Sequence, residues 1–206
     1  MKIKTLLLGN MQTNGYVVSD ENHHCLIIDP GANGKKVVHY LTENELVPEA
    51  VLLTHGHFDH IGAVDYLYEH YHCPIYLHQD DLEMLDNPQL NLSVYENPFT
   101  VKAPVQSSHE EMKFGDFDVQ WLHLPGHCPG SSMIYLKDEN IIFSGDVLFK
   151  GSIGRFDFPN SSKYETIESI NKINEYDFDA VIYPGHGPNS TLSEERLNNP
   201  YLKKTL

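Results

Sequence analysis

The chain begins with two short apolar-rich stretches, IKTLLL (3–8) and YVVS (16–19). Gly9-Asn10 and Thr13-Asn14-Gly15 separate them, which predicts two strands of a meander. HCLIIDPG (24–31) reads as a third strand, closed by a turn at Pro30-Gly31. In GKKVVHYLTENEL (34–46) the apolar residues fall at 37, 38, 41 and 46, the spacing of an amphipathic helix. AVLLT (50–54) is a continuous apolar run of the buried-strand type. IGAVDYLYEHY (61–71) predicts a helix, CPIYLH (73–78) a strand and DDLEMLD (80–86) a short helix. Residues 86–116 carry three prolines, scattered aromatics and weak periodicity, and are expected to form a long loop or lid. FDVQWLHL (117–124) alternates as a strand, and SSMIYLK (131–137) and NIIFSGD (140–146) follow as strands. SKYETIESINKINEY (162–176) predicts a helix, DAVIYPG (179–185) a strand, and SEERLNNP (193–200) the start of a final helix.

Strands lead, then alternate with helices, and then the pattern comes a second time. It predicts an α/β fold in which two sheets form a sandwich with helices on both outer faces. No linker interrupts residues 1–206, so a single domain is expected, and 40% hydrophobic residues suffice for its core. A formal net charge of -15 with no basic stripe argues against nucleic acid as a partner. Cys25, Cys73 and Cys128 are odd in number and lack C-x-x-C spacing, which is no disulfide framework and points to a reducing cytoplasm. The N-terminal MKIKTLLLGN stops at Gly9, short of the roughly 7 to 15 apolar residues of a signal peptide. No apolar run approaches the roughly 18 residues needed to span a membrane. A soluble cytoplasmic protein is the expectation.

The chemistry is written at the strand ends. AVLLT is followed by His55, His57, Asp59 and His60 within "THGHFDH". WLHLPG is followed by His127, IIFSG by Asp146 and AVIYPG by His186. Strand ends held by a rigid sheet are where a site can be preorganised. Five histidines and two carboxylates exceed the needs of one catalytic zinc, which takes three protein ligands and a water. The set suits two adjacent divalent metals. His55 and His57, two apart in an extended segment, face one side and with His127 suit one metal. Asp59, His60 and His186 suit the other, and Asp146 can bridge both. Such a site keeps net positive charge and attracts an anionic substrate. Cys128 adjoins His127, but an open, histidine-rich shell argues for chemistry over a closed structural zinc site. His23, His24, His39, His70, His72, His78, His109 and His123 read as ordinary surface or core residues.

T-H-x-H-x-D-H, then P-G-H, G-D and P-G-H in this order, resembles the metallo-β-lactamase superfamily over nearly the whole chain. The resemblance implies an αββα four-layer sandwich of two mixed β-sheets flanked by helices. It implies metal-ligand roles for His55, His57, Asp59, His60, His127, Asp146 and His186. "SGDVLFKGSIGRFDFPNSS" (144–162) is similar to the glyoxalase II-like hydroxyacylglutathione hydrolases, especially their short bacterial branch. In that group the basic residue after the glycine contacts the carboxylate of the thiol carrier. Arg155 matches it, and its fork suits bidentate carboxylate binding. The C-terminal helical domain of larger relatives is not expected here, and Asp157 and Pro188 stand where those relatives carry tyrosines.

The expected reaction is therefore hydrolysis of an anionic small-molecule thioester of the S-2-hydroxyacyl-glutathione type. The nucleophile would be a metal-bridging hydroxide, available because a metal lowers the pKa of its water to about 7. Asp59 and Asp146 carry catalytic roles as well as metal. Two zinc ions are the first expectation, with iron or manganese as alternatives. A thiolate leaves easily, since a free thiol has a pKa of about 8.5. The rivals are lactone hydrolysis and a mono-iron persulfide dioxygenase, which shares the G-R-x-D-F stretch and would use His55, His127 and Asp146. β-Lactam hydrolysis fits less well: an amide nitrogen must be protonated to leave, and lactamases commonly carry a cysteine where Asp146 stands.

Overall fold

A computed structural model describes residues 1–203. The first sheet is built from β1 (Lys2–Leu8), β2 (Thr13–Ser19), β3 (His24–Ile28), β4 (Val47–Leu52), β5 (Ile75–Leu77) and β6 (Val105–Ser107), in that order. Its first three strands run antiparallel and the rest parallel, as the crossover α1 (Gly34–Glu43) requires between β3 and β4. After β4 the chain forms α2 (Phe58–Ile61) and α3 (Val64–Tyr71), and after β5 the one-turn α4 (Leu82–Leu85). β3 is buried on both faces, which explains its unbroken apolar run CLII.

The second sheet contains β7 (Glu111–Phe114), β8 (Phe117–His123), β9 (Ser132–Leu136), β10 (Ile141–Gly145), β13 (Val181–Pro184) and β14 (Ser190–Thr191). Its order is β14-β13-β10-β9-β8-β7, antiparallel except for the β10–β13 pair. A ribbon of β11 (Leu148–Phe149) and β12 (Ser152–Ile153) leaves the end of β10. α5 (Lys163–Glu175), α6 (Leu192–Asn198) and α7 (Pro200–Lys203) complete the described chain.

Alternation along the strands sorts side chains into three cores. Tyr16, Val18, Leu26, Ile28, Phe117, Val119 and Trp121 meet between the sheets. Val37 and Leu41 of α1, with Val64 and Leu67 of α3, cover the outer face of the first sheet. Ile170 and Ile173 of α5, with Leu192 and Leu202, cover the second. The result is the expected four-layer αββα arrangement of two mixed sheets.

Two sequence expectations are corrected. The segment 86–116 is not one loop, because β6 and β7 lie in its last third and each forms the edge of a sheet. Strands of three and four residues are too short to show a period. The helix expected over 61–71 is broken at Gly62-Ala63, where the Ala63 N–H donates to the Pro30 carbonyl oxygen at 2.9 Å instead of continuing a helix from α2.

Candidate metal centre

All seven sequence-predicted donors meet at one edge of the sandwich. The first sheet supplies four of them through the loop after β4 and the first turn of α2; the second supplies His127, Asp146 and His186 after β8, β10 and β13. His55, His57, His60 and His127 are buried, while Asp59, Asp146 and His186 are partly open, so the centre faces solvent on that side. Three groups have mutually close donor atoms: His55, His57, His127 and Cys128; His55, His60 and Asp146; and Asp59, His60 and His186.

Three of the five imidazoles are oriented by a partner at one nitrogen. His55 Nδ1 lies 3.1 Å from the Thr54 hydroxyl, which itself donates to Asp29 Oδ2 at 2.7 Å. Asp29 Oδ2 also accepts from His60 Nδ1 at 2.9 Å. His127 Nδ1 donates to the Arg155 carbonyl oxygen at 2.7 Å. The opposite nitrogens of these rings then converge, the arrangement by which outer partners aim metal-binding imidazoles. His127 Nε2 lies 3.0 Å from His57 Nδ1 and 3.6 Å from Asp146 Oδ2. His60 Nε2 is 3.4 Å from Asp146 Oδ1 and 3.7 Å from Asp59 Oδ2. His186 Nε2 is 3.2 Å from Asp59 Oδ2 and 3.7 Å from Asp146 Oδ2. Asp146 therefore stands between His127 on one side and His60 and His186 on the other. Thr13 Oγ1 steadies Asp59 Oδ2 with a 2.8 Å hydrogen bond.

The glycine before His186 is required sterically. A Cβ on Gly185 would come within 2.3 Å of Asp146 Oδ1 and 2.7 Å of His60 Cε1. The backbone there is clasped from the other sheet: Asn14 N–H donates to the Gly185 carbonyl oxygen at 2.8 Å, and Asn14 Nδ2 and Tyr16 OH to that of Pro184 at 2.9 and 2.6 Å.

The charges separate by environment. Burial, reinforced by neighbouring imidazoles, holds His55 well below the ordinary imidazole range and takes His57 down to about 3. Burial also lowers His127. Burial would lower His60 too, but the carboxylates of Asp59, Asp146 and Asp29 outweigh it and raise the group well above. His186 is likewise raised against its burial, chiefly by its hydrogen bond to Asp59. Asp59 and Asp146 are held below the usual carboxylate range, since the attraction of His60 overcomes the cost of burial.

The donor set fits divalent cations. His55 Nε2, His60 Nε2 and Asp146 Oδ1 are buried without any hydrogen-bond partner. Each such atom costs about 1–3 kcal/mol when left unpaired. Three of them turned into one pocket of imidazoles and ionised carboxylates are the signature of a cation's ligands.

Arg155 lies at the exposed rim. Its Nε and Nη2 donate to the two oxygens of Asp157, both at 2.9 Å, and its guanidinium stacks 4.6 Å from the Phe158 ring. Phe158 packs edge-on against His57 and His127, with ring centroids 5.2 and 5.7 Å apart.

Several residues of the site escape a reading of the sequence. Asp29 is visible there only as part of the turn D-P-G. Asp81 is buried and joins two donor loops: Gly56 N–H donates to its Oδ2 at 3.0 Å and Gly130 N–H to its Oδ1 at 2.6 Å. His78 and His123, read as ordinary, stack at 3.8 Å beside Asp80, and His123 Nε2 donates to the Pro129 carbonyl oxygen at 2.8 Å, behind the His127 loop. No short sequence signal marks these pairings, because each joins residues from different elements.

The family model described as "Metallo-beta-lactamase superfamily" matches residues 8–186. The "Probable metallo-hydrolase YqgX" of Bacillus subtilis is 39% identical over 98% of both chains. The "Hydroxyacylglutathione hydrolase GloC" of Haemophilus influenzae is 32% identical, again over 98% of each. Among solved structures, the BLEG-1 B3 metallo-beta-lactamase superposes with a TM-score of 0.92 at 36% identity, covering 98% of this chain and 100% of that one. TTHA1623 in a di-iron-bound form gives 0.86 at 36% identity, covering 96% and 99%. ETHE1 from Myxococcus xanthus gives 0.75 at 25% identity, covering 97% and 84%. Sequence motif, layered fold and convergent donors agree with these matches, and the chain belongs to the metallo-beta-lactamase superfamily.

Proposed function

We propose that this protein is a binuclear metallohydrolase that cleaves an anionic small-molecule thioester of the S-2-hydroxyacyl-glutathione type. The observation that carries the reading is the convergence of seven donors in which His55 Nε2, His60 Nε2 and Asp146 Oδ1 are buried without a hydrogen-bond partner. His55, His57 and His127 would hold one ion, Asp59, His60 and His186 a second, with Asp146 between them. When bound, such ions supply Lewis acidity and make hydroxide available near neutral pH. Zinc suits the histidine-rich donors, and the di-iron-bound neighbour makes iron the main alternative. The kinship with a hydroxyacylglutathione hydrolase supports the thioester as substrate class.

The chain's own residues prepare the rest. Asp59, pinned by Thr13 and facing His186, is fixed in orientation at the open side, where it can align the attacking group. Phe158 shields the His57 and His127 side from water. Arg155 offers guanidinium donors at the rim for a substrate carboxylate. A thiolate leaving group, with a thiol pKa of about 8.5, needs little help from an acid. We place the enzyme in the cytoplasm on its three free cysteines, and its net charge of -15 disfavours nucleic acid as a partner.

Purified protein with S-lactoylglutathione tests the reading by loss of thioester absorbance, beside His57→Ala. The parent should cleave and the variant should not. A metal-loaded parent that leaves the thioester intact would exclude the proposal. The ETHE1 likeness keeps persulfide oxidation as the second reading. One iron per chain and oxygen uptake with a persulfide would establish it in place of hydrolysis.

A further inference from the structure

The ribbon β11–β12 and the residues directly after it touch three of the seven donors. The backbone of Gly154 lies so close that an added Cβ would fall 1.8 Å from the Asp146 carbonyl oxygen and 3.1 Å from His127 Nδ1. The next carbonyl, of Arg155, accepts from that Nδ1 at 2.7 Å. On the other strand, the Phe149 ring meets His186 edge-on, with centroids 6.1 Å apart. The guanidinium that would receive a substrate carboxylate thus hangs on the segment that backs the centre. Yet the ribbon is only two residue pairs long, Leu148 with Ile153 and Phe149 with Ser152. A two-stranded hairpin that short does not hold its own shape in water. Its base is held by Ser144 Oγ, which donates to the Leu148 carbonyl oxygen at 2.7 Å. Its tip is held by two side chains from the C-terminal region, Glu195 on α6 and Asn199 just after it, 1% and 0% exposed. Gly151 N–H donates to Glu195 Oε2 at 2.7 Å. Asn199 Nδ2 donates to the Ser152 and Phe149 carbonyl oxygens at 3.0 and 3.3 Å, and to Glu195 Oε2 at 2.9 Å. Glu195 Oε1 accepts from the Ser190 hydroxyl. A buried carboxyl costs free energy unless its lone pairs are met. Here the tip of the ribbon, the amide that grips it and Ser190 meet them.

Resting on the thioesterase reading of the proposed function, we infer that Glu195 and Asn199 are positioning residues: by gripping the tip of the ribbon they fix the segment that presents Arg155 to the substrate's carboxylate. Both act through the ribbon. A role confined to stability would shrink the folded fraction, which lowers kcat and leaves KM alone. A positioning role moves KM, because it changes how the substrate is held.

Steady-state hydrolysis of S-lactoylglutathione by the metal-loaded full chain tests this, with amide hydrogen exchange of segment 147–155 measured beside it. Glu195→Leu should speed exchange there and raise KM at least about fivefold, within the coupling range of residues in one network. In an Arg155→Ala background the same substitution should raise KM no further. Glu195→Gln should restore the parent values. Its amide oxygen can accept from Gly151 and Asn199 while its NH2 donates to the Ser190 oxygen. Ser190 then turns its own proton to Glu194 Oε2, 3.3 Å away. Should Glu195→Leu not fold, Asn199→Ala frees the carbonyl side of the tip and is read in the same way. Unchanged exchange, an unchanged KM, a rise that persists without Arg155, or a glutamine variant as defective as the leucine one overturns the inference and leaves the thioesterase standing. A metal-loaded parent that leaves the thioester intact overturns both.

Discussion

Arg155 carries its charge at the mouth of the centre, yet Asp157 already occupies both arms of its fork. An exposed pair of this kind contributes little to stability. Its weight falls on binding: the internal carboxylate competes with any carboxylate brought by the substrate. Asp157→Ala should lower KM for a carboxylate-bearing thioester, and Arg155→Ala should raise it more than it lowers kcat. Steady-state kinetics on both variants decide the matter, and matching KM values would remove the pair from the substrate site. Asp81 poses a different test. Burial pushes its carboxyl up to about 7 from an ordinary 3.8, although two backbone N–H groups favour the charged form. Between those values the folded chain keeps a proton that the unfolded chain has lost. Stability therefore falls as pH rises from 3.8 toward 7 and levels off above. Asp81→Asn should flatten that slope in urea unfolding at fixed metal loading, and an unchanged slope would show the group to be ionised throughout. The metal-type residues were legible because each follows an apolar run directly. Asp29 and Asp81 were not, because a buried carboxylate is defined by its partners across the fold.

Among the elements, α5 ties helix formation to the centre. Ser162 accepts from the Glu165 N–H at 3.2 Å, the S-x-x-E start that the sequence shows at SKYE. Removing the cap with Ser162→Ala should cost about 1 kcal/mol. For a chain of this size that lowers Tm by about 2–4 °C in a calorimetric scan. Thr166, one turn further on, lies under Gly126, whose φ is 138° and whose added Cβ would fall 2.3 Å from Thr166 Oγ1. Gly126→Ala should therefore displace the His127 loop and loosen metal, measured as faster zinc loss to a chelator than in Ser162→Ala. The long strands and helices were readable because burial imposes a period on five or more residues. β6 and β7 were not, since edge strands of three and four residues take their place from the neighbour they pair with. The break between α2 and α3 was hidden for a related reason, as its cause is the Pro30 carbonyl rather than a helix-breaking proline.

Over the whole molecule, the centre joins the sheets. Four donors follow β4 of one sheet and three follow strands of the other, so an ion held between them links the layers. A ligand that binds only the folded chain stabilises it by about 4 kcal/mol at a thousandfold excess over its Kd. Chelation should thus lower Tm by roughly ten degrees, and an unaltered Tm after verified metal loss would mean the sheets hold the site without help. The sandwich itself was legible from the order of strands and helices, but the clasp of Asn14 and Tyr16 on Pro184 was not, because some 170 residues separate the partners. That clasp sets an order of events in time. "THGHFDH" is local and can capture an ion while the chain is still unfolded, whereas His186 arrives only when that long-range clasp has closed. An ion caught early also stabilises the unfolded chain, which reduces its net benefit. Refolding first and adding metal afterwards should therefore give an active centre sooner than refolding in its presence.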